Sequence, residues 1–282
     1  PSPVETLGGG WVIDPKGEKH RFGERTIAEL EKKKVGTPGE RIVSALMESK
    51  SLSLDDLITR TSLERDILVE ELKSDDFILL NGKEYTLRAL VELNEEDLYN
   101  RLRDYHTEFP MKQGLNKAEL FQQQMKLYPK ALLDYVIERG IQAGTFKRKE
   151  QYISIRDFQP HVPKNWKTRS DNMLDKLKAD GMKVNYFKDY LDGAGIPSSI
   201  VDDMKKFFVD EGIVVPLDEQ YSWHGDVFNA AVEKLRAETG QEFEVGEAKD
   251  VLGLSRKYMI PFLEALDNRG FTRRIENKRV WR

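Results

Sequence analysis

The sequence predicts an α+β chain, mostly helical, built as a tandem array in which three helices and a small β-hairpin recur four times. Three observations predict it. Apolar residues recur at helical spacing in sets of three. Each third set is followed by two short apolar runs around a turn. These hairpins come at intervals of about 60 to 70 residues. An irregular helical bundle with stray hairpins is the alternative, but bundles do not place hairpins at regular intervals. At 282 residues, with 39% hydrophobic and 33% charged, the chain suits several small domains and not a membrane protein or a disordered tail.

The start of the chain is not helical. Three glycines lead into Trp11-Val12-Ile13 and then Asp14-Pro15-Lys16-Gly17, a strand stub and a turn, so residues 1–36 read as the remnant of a preceding domain with its linker. The first repeat, 37–93, takes its helical stripes from Ile42, Val43, Ala45 and Leu46, then Leu52, Leu54, Leu57 and Ile58, then Ile67, Leu68, Leu72 and Phe77. Its hairpin is Ile78-Leu79-Leu80 and Tyr85-Thr86-Leu87 around Asn81-Gly82, residues that tolerate the positive φ of a tight turn. The second, 94–158, runs from Leu98 through Phe109, Asn116 to Leu127 and Pro129 to Gly144, and closes with Phe146 and Tyr152 to Ile155. Pro129 opens its third helix, where a missing N–H costs nothing. The third, 159–222, uses Trp166 to Leu177, Phe187 to Leu191 and Pro197 to Glu211, closing with Ile213 to Val215 and Tyr221. The fourth, 223–282, uses Val227 to Leu235, Val245 to Leu252 and Ser255 to Asn268, closing with Phe271 to Ile275 and Val280-Trp281. Helix, helix, helix, hairpin is the winged-helix pattern, a variant of helix-turn-helix in which the third helix enters a groove and the wing touches the backbone.

Chemistry is mostly excluded. With no cysteine there is no disulfide, zinc finger or thiol nucleophile, and His20, His106, His161 and His224 lie far apart without ligand spacing, so no metal and no cofactor is expected. No phosphate-binding glycine loop, HExxH or GxSxG occurs. Adjacent acidic pairs such as Asp55-Asp56 and Asp202-Asp203 diverge on a helix and read as solvated faces, while His106 and His161 read as unpartnered. A non-enzyme follows. The chain shows no apolar run of membrane-spanning length and no secretion signal, which gives a cytoplasmic, monomeric expectation.

The net charge of -4 argues against phosphate binding until its distribution is read. From Ser255 to Arg282 there are eight basic and three acidic residues, a local balance of +5 that leaves -9 for the rest. The third helix of repeat one, Glu64 to Phe77, is strongly acidic, and that of repeat three carries Lys205 and Lys206 against Asp202, Asp203, Asp210 and Glu211. These two read as spacers. Repeat two has a basic wing, Lys147-Arg148-Lys149, which reads either as an ordinary solvated turn or as a second nucleic-acid surface.

Repeat four differs in kind. Ser255 is a natural N-cap, so Arg256 and Lys257 project from the first helical turn, where free N–H groups and the dipole also favour an anion. If Glu276-Asn277 forms a two-residue turn, Arg274 lies opposite Arg279 and Thr272 opposite Trp281, all on one face. Shifting the turn to Asn277-Lys278 keeps Arg274, Arg279 and Trp281 together, and a three-residue loop breaks the arrangement. Two arginines beside an indole suit phosphate contact with base stacking, as for looped RNA, although Trp281 reads rather more readily as an ordinary packing residue. A DNA-binding regulator with tandem winged helices and a protein-interaction scaffold are the competing classes; the first would want basic third helices in more than one repeat.

The run Gly246-Glu247-Ala248-Lys249-Asp250-Val251-Leu252-Gly253-Leu254-Ser255-Arg256-Lys257-Tyr258, with Pro261, Phe271-Thr272-Arg273-Arg274 and Lys278-Arg279-Val280, resembles the last winged helix of the bacterial selenocysteine-specific elongation factors. Thr6 to Gly10 with Asp14-Pro15 is similar to the end of their third, β-barrel domain, and Tyr105-His106 to Pro110 with Gly114-Leu115 to their second winged helix. The resemblance implies the C-terminal half of such a factor, tethering it to a messenger-RNA hairpin near an in-frame UGA. It implies that GTP and selenocysteyl-tRNA are bound by an N-terminal half outside this chain, and that the ribosome is met through the parent factor. It also implies bending between repeats two and three. Carried over by position, the RNA contacts fall to Ser255, Arg256, Lys257, Arg273, Arg274, Lys278 and Arg279, with Lys249 and Trp281 beside them. The wing tip, Glu276-Asn277, and Trp281 depart from the family pattern, which bears on hairpin preference.

Overall fold

Local signals account for most element boundaries in the computed structural model, which describes residues 36–282. The strand stub and turn expected between Trp11 and Gly17 lie outside the described residues. Helix α1 (Pro38–Ser49) opens with a reciprocal capping box: the Thr37 hydroxyl accepts from the Glu40 amide at 3.3 Å and the Glu40 carboxylate accepts from the Thr37 amide at 2.8 Å. Strand β1 (Leu52–Ser53), helices α2 (Leu54–Thr61) and α3 (Arg65–Glu71), and strands β2 (Phe77–Leu80) and β3 (Glu84–Leu87) complete the first repeat. Asn81 and Gly82 take φ of 49° and 68°, as their turn role predicts. Phe77, expected on the third helix, instead begins the wing: helix α3 stops at Glu71 and Phe77 pairs with Leu87.

The second repeat consists of α4 (Arg88–Glu108), β4 (Leu115–Asn116), α5 (Lys117–Gln124), α6 (Lys130–Ala143), β5 (Phe146–Lys149) and β6 (Tyr152–Ile155). The expected boundary between residues 93 and 94 falls inside α4, a continuous helix of 21 residues that starts directly after β3. In the third repeat α7 (Lys164–Ala179), α8 (Phe187–Gly193) and α9 (Ser198–Asp210) are followed by β7 (Val214–Pro216) and β8 (Ser222–His224). The fourth has α10 (Gly225–Glu238), β9 (Glu242–Glu244), α11 (Val245–Leu252), α12 (Arg256–Asn268), β10 (Thr272–Ile275) and β11 (Lys278–Trp281).

Three of the four wings gain a third strand. The two- or three-residue segment before the second helix pairs with the returning wing strand, giving orders β1-β3-β2, β4-β6-β5 and β9-β11-β10, all antiparallel; the third repeat keeps a two-stranded β7-β8 sheet.

Four repeats do not make four cores. Ile42, Leu46, Leu68 and Leu80 of the first repeat share one apolar cluster with Leu102, Leu132, Val136 and Ile153 of the second, and Met204, Phe208 and Trp223 share another with Phe228, Phe262 and Leu266. The chain accordingly forms two compact units. One runs through Phe158 apart from Phe109–Lys112; the other takes Phe109–Lys112 and Gln159–Arg282. Within each unit the wing strand of the leading repeat runs straight into the next helix. Gly225 is required at one such junction: a Cβ there would sit 2.2 Å from the Gly212 carbonyl oxygen, while its N–H donates to the Ile213 carbonyl at 2.7 Å.

His106, unpartnered in the sequence reading, is a packing residue. Its Nε2 accepts from the Ile155 amide at 3.2 Å and its ring stacks on Phe158 at 3.6 Å, tying α4 to the end of β6. His161 is likewise partnered: its Nδ1 lies 2.9 Å from the Gln159 carbonyl oxygen and its amide donates to Pro110. Burial, reinforced by the Lys147 ammonium, pushes His106 down from 6.5 to about 4. The unfolded chain therefore takes up a proton below pH 6.5 that the folded chain refuses until about 4, so His106's contribution to stability is complete above 6.5 and lost as the pH falls toward 4. In urea unfolding of wild type and His106→Gln, the stability advantage of wild type is expected to shrink as the pH is lowered from 7 through that window.

Candidate nucleic-acid interface

The terminal repeat presents its cations from three places: the last turns of α11, the first turn of α12 and the wing. Helix α11 ends at Gly253, whose φ of 63° provides the left-handed cap. Ser255 then supplies extended backbone at the N-cap of α12, φ −71° and ψ 158°, but its hydroxyl makes no capping hydrogen bond. Ser255 is exposed, and the first amides of α12 are the ones that a helix leaves without an intrahelical acceptor. Between the two helices lies a depression of about 330 Å³ lined by Val245, Lys249, Arg256, Met259 and Ile260. Two cations flank an apolar floor.

The wing is joined to this depression by strand register. The Glu276-Asn277 turn has two residues, with Glu276 at φ 52°, and pairs Ile275 with Lys278, Arg274 with Arg279, Arg273 with Val280 and Thr272 with Trp281. Lys278 in turn lies opposite Glu244, the N-cap of α11, next to Val245 of the depression. The wing tip thus borders the depression through one cross-strand step.

The register is as read from the sequence, but the face it creates is an inner face at Thr272, Arg279 and Trp281, with Arg274 left exposed near the tip. Arg279 is 5% exposed; its Nε donates to Asp267 Oδ2 at 2.9 Å, and Asp267 Oδ1 accepts from the Thr272 hydroxyl at 2.6 Å. Trp281 is 4% exposed, packs on Phe243 at 5.3 Å, donates its indole N–H to the Thr239 hydroxyl at 3.2 Å and is covered by the Arg236 guanidinium. Both were expected to touch RNA; both are removed from solvent, and Trp281 takes its packing role. An arginine can be drawn inside here because one carboxylate serves it and the neighbouring hydroxyl together.

Two further expected contacts are occupied. The Lys278 ammonium donates to Glu242 Oε1 at 2.6 Å, and that partner holds its pKa above the usual lysine value. Lys257 points into three tyrosines, with Nζ 4.6 Å from the Tyr221 ring centroid, 5.0 Å from Tyr258 and 5.8 Å from Tyr186; its pKa is raised chiefly by the Tyr221 hydroxyl. Tyr258 also donates to the Val184 carbonyl at 2.7 Å, so this cluster is the seam between repeats three and four. Lys257 is exposed but serves that seam.

Lys249, Arg256, Arg273 and Arg274 are the expected cations that stay exposed and are engaged neither by an acidic side chain nor by the tyrosine cluster among the described residues; Arg274 Nε donates to the Glu276 carbonyl at 3.2 Å. The apolar side of the site was missed by the sequence reading. Ile275 is half exposed at the wing tip, and Met259 and Ile260 border the depression, although their spacing signalled only core.

Residues 234–281 and 99–155 each match a family model described as "Elongation factor SelB, winged helix". The two matched segments fall in the fourth and second winged-helix repeats. It is 24% identical over 294 aligned positions, 99% of its length, to the selenocysteine-specific elongation factor of Desulfomicrobium baculatum, and spans 45% of that relative, under half its length. Its fold is similar to a bacterial selenocysteine-specific elongation factor, EF-Sec, at a TM-score of 0.50 and 21% identity, covering 96% of this chain and 42% of that one. A smaller overlap, TM-score 0.34 and 22% identity over 40% of this chain and 97% of the other, is with the mRNA-binding domain of elongation factor SelB from E. coli in complex with SECIS RNA.

Arg279→Ala is expected to cost about 3 to 5 kcal/mol in urea unfolding, because it strands Asp267 and opens the sheet's inner face. Arg273→Ala is expected to stay within about 0.5 kcal/mol of wild type. Equal and small effects would mean that Arg279 is a surface residue.

Proposed function

We propose that this chain is the messenger-RNA-holding region of a selenocysteine-specific translation elongation factor, tethering that factor to a hairpin near an in-frame UGA. The observation that carries the reading is the depression at the start of α12, where Lys249 and Arg256 flank an apolar floor beside the unspent Ser255 hydroxyl. An unstacked loop base is a flat apolar body with phosphates on either side, and this arrangement offers a floor for the one and cations for the other. Arg273 and Arg274 on the wing would hold the backbone beyond it. Lys278, already paired with Glu242, would have to exchange that partner for phosphate and so contributes less.

The reading assigns no catalysis and no cofactor to this region. GTP and selenocysteyl-tRNA would be bound by the part of the factor that the relatives have and this chain does not span, and the ribosome would be met through the assembled factor in the cytoplasm. No helix among the described residues is long and apolar enough to cross a membrane. The tether itself would be a monomer, since one hairpin needs one terminal module.

The test titrates the chain with an RNA hairpin, with the same hairpin carrying loop substitutions, and with duplex DNA, each at two salt concentrations. Hairpin preference with a salt-dependent component is expected. Arg256→Ala or Lys249→Ala should weaken it by about 1 kcal/mol or more while leaving the unfolding midpoint unchanged, and Lys205→Ala should not weaken it. Preference for duplex DNA would overturn the reading.

A further inference from the structure

The wing of the second repeat reproduces the terminal wing down to one side-chain contact. Sheet orders β4-β6-β5 and β9-β11-β10 are equivalent, and both turns have two residues beginning with a glutamate in the left-handed region, Glu150 at φ 53° and Glu276 at 52°. Arg148 Nε donates to the Glu150 carbonyl at 3.0 Å, as Arg274 Nε does to Glu276 at 3.2 Å. Lys149, at the position of Ile275, adds a cation at the tip. Arg148 and Lys149 are exposed and free of ion pairs among the described residues, whereas Lys147 is turned inward to the Phe158 carbonyl at 2.5 Å. Lys130 is the first residue of α6, as Arg256 is of α12, and it too is exposed.

We propose that Arg148, Lys149 and Lys130 form a second RNA-binding surface, one that holds the phosphate backbone of helical RNA without reading its sequence. The base-receiving half of the terminal site is missing here. Where the terminal depression has Lys249 on α11, the corresponding turn of α5 carries the buried Phe121, and Lys117 is spent on Asp134 at 2.8 Å. Cations without a base pocket give affinity but no sequence discrimination. The ligand is nucleic acid and not an acidic protein because the charges stand on separate elements, two side by side at the end of β5 and one at the start of α6, which suits spaced phosphates. The inference takes the terminal wing as its pattern and so rests on the reading above.

The test uses the full chain and an unlooped RNA duplex of about twenty base pairs, long enough to span successive grooves, followed by fluorescence anisotropy at several KCl concentrations. The Arg148→Ala/Lys149→Ala chain should bind this duplex about tenfold more weakly, with a salt slope flatter by about one per cation removed, yet should keep the loop discrimination of wild type. Lys130→Ala, on a different element, should weaken duplex binding in the same direction. Arg256→Ala should do the reverse, losing loop discrimination and keeping duplex affinity. Unchanged duplex affinity and slope in both the double variant and Lys130→Ala would overturn the proposal, as would polyglutamate displacing the duplex as well as competitor RNA does. If wild type shows no loop discrimination, the terminal reading fails, while the duplex titrations still decide this one.

Discussion

Trp223 stacks on Phe262 at 5.0 Å, and Phe228 meets the same ring edge-on at 5.5 Å. That contact joins the last wing strand of one repeat to the third helix of the next, and the basic surface depends on it. A winged helix of this size buries too small a fraction of its chain to be robust alone. Merging two modules around one apolar cluster raises that fraction, and it holds α12 from behind so that its first turn faces outward. The Lys257 ammonium and the Tyr258 hydroxyl extend the seam to the start of α12. Repeat three is therefore more than a spacer: it supports the helix whose charges are used next door.

Charge asymmetry and charge availability are different properties. The terminal stretch carries a clear excess of basic residues, but Arg279 is consumed by Asp267, Lys278 by Glu242 and Lys257 by the tyrosines. The first of these is buried and costly to disturb; the second is exposed and cheap to exchange. What remains is a smaller set whose value lies in its position around one helix start. On the proposed function, electrostatic attraction would bring RNA to this end of the module, and the apolar floor of Val245, Met259 and Ile260 would distinguish a splayed base from a paired one.

The fold was legible where one local rule decides the outcome. Asn81-Gly82 turns the chain because it tolerates positive φ, Pro129 and Pro197 stand at helix starts, and the Glu276-Asn277 register follows from strand pairing alone. Features set by tertiary contacts were not legible. The short strands β1, β4 and β9 have too few residues to show alternation, and α4 continues unbroken through a repeat boundary because no glycine or proline interrupts it. The alternation of the terminal wing was read correctly in phase but with the faces exchanged. Arginine beside tryptophan suggests an exposed stacking surface, and only Asp267, twelve residues away, turns that arginine inward. Ile275 and Ile260 carried no signal because an exposed apolar residue and a core one look alike in sequence.

The distribution of function among the modules follows from how the pairs are built. In each pair the leading module spends its returning wing strand as the direct lead-in to the next helix, β3 into α4 and β8 into α10, the latter so tightly that only glycine fits at residue 225. A strand fixed at both ends in this way is part of the joint between modules. The following module has no such duty: β6 is succeeded by a connector before α7, and β11 is anchored sideways on β9 of its own module. Its wing tip is left to meet something outside the pair. The charges divide along the same line, with acidic third helices in the leading modules and arginine-bearing wings in the following ones. Those acidic side chains lie on the third helices, where they would repel phosphate from the leading modules. The same constraint that forces the modules to share cores thus also selects which wings are left free for the proposed contacts with nucleic acid.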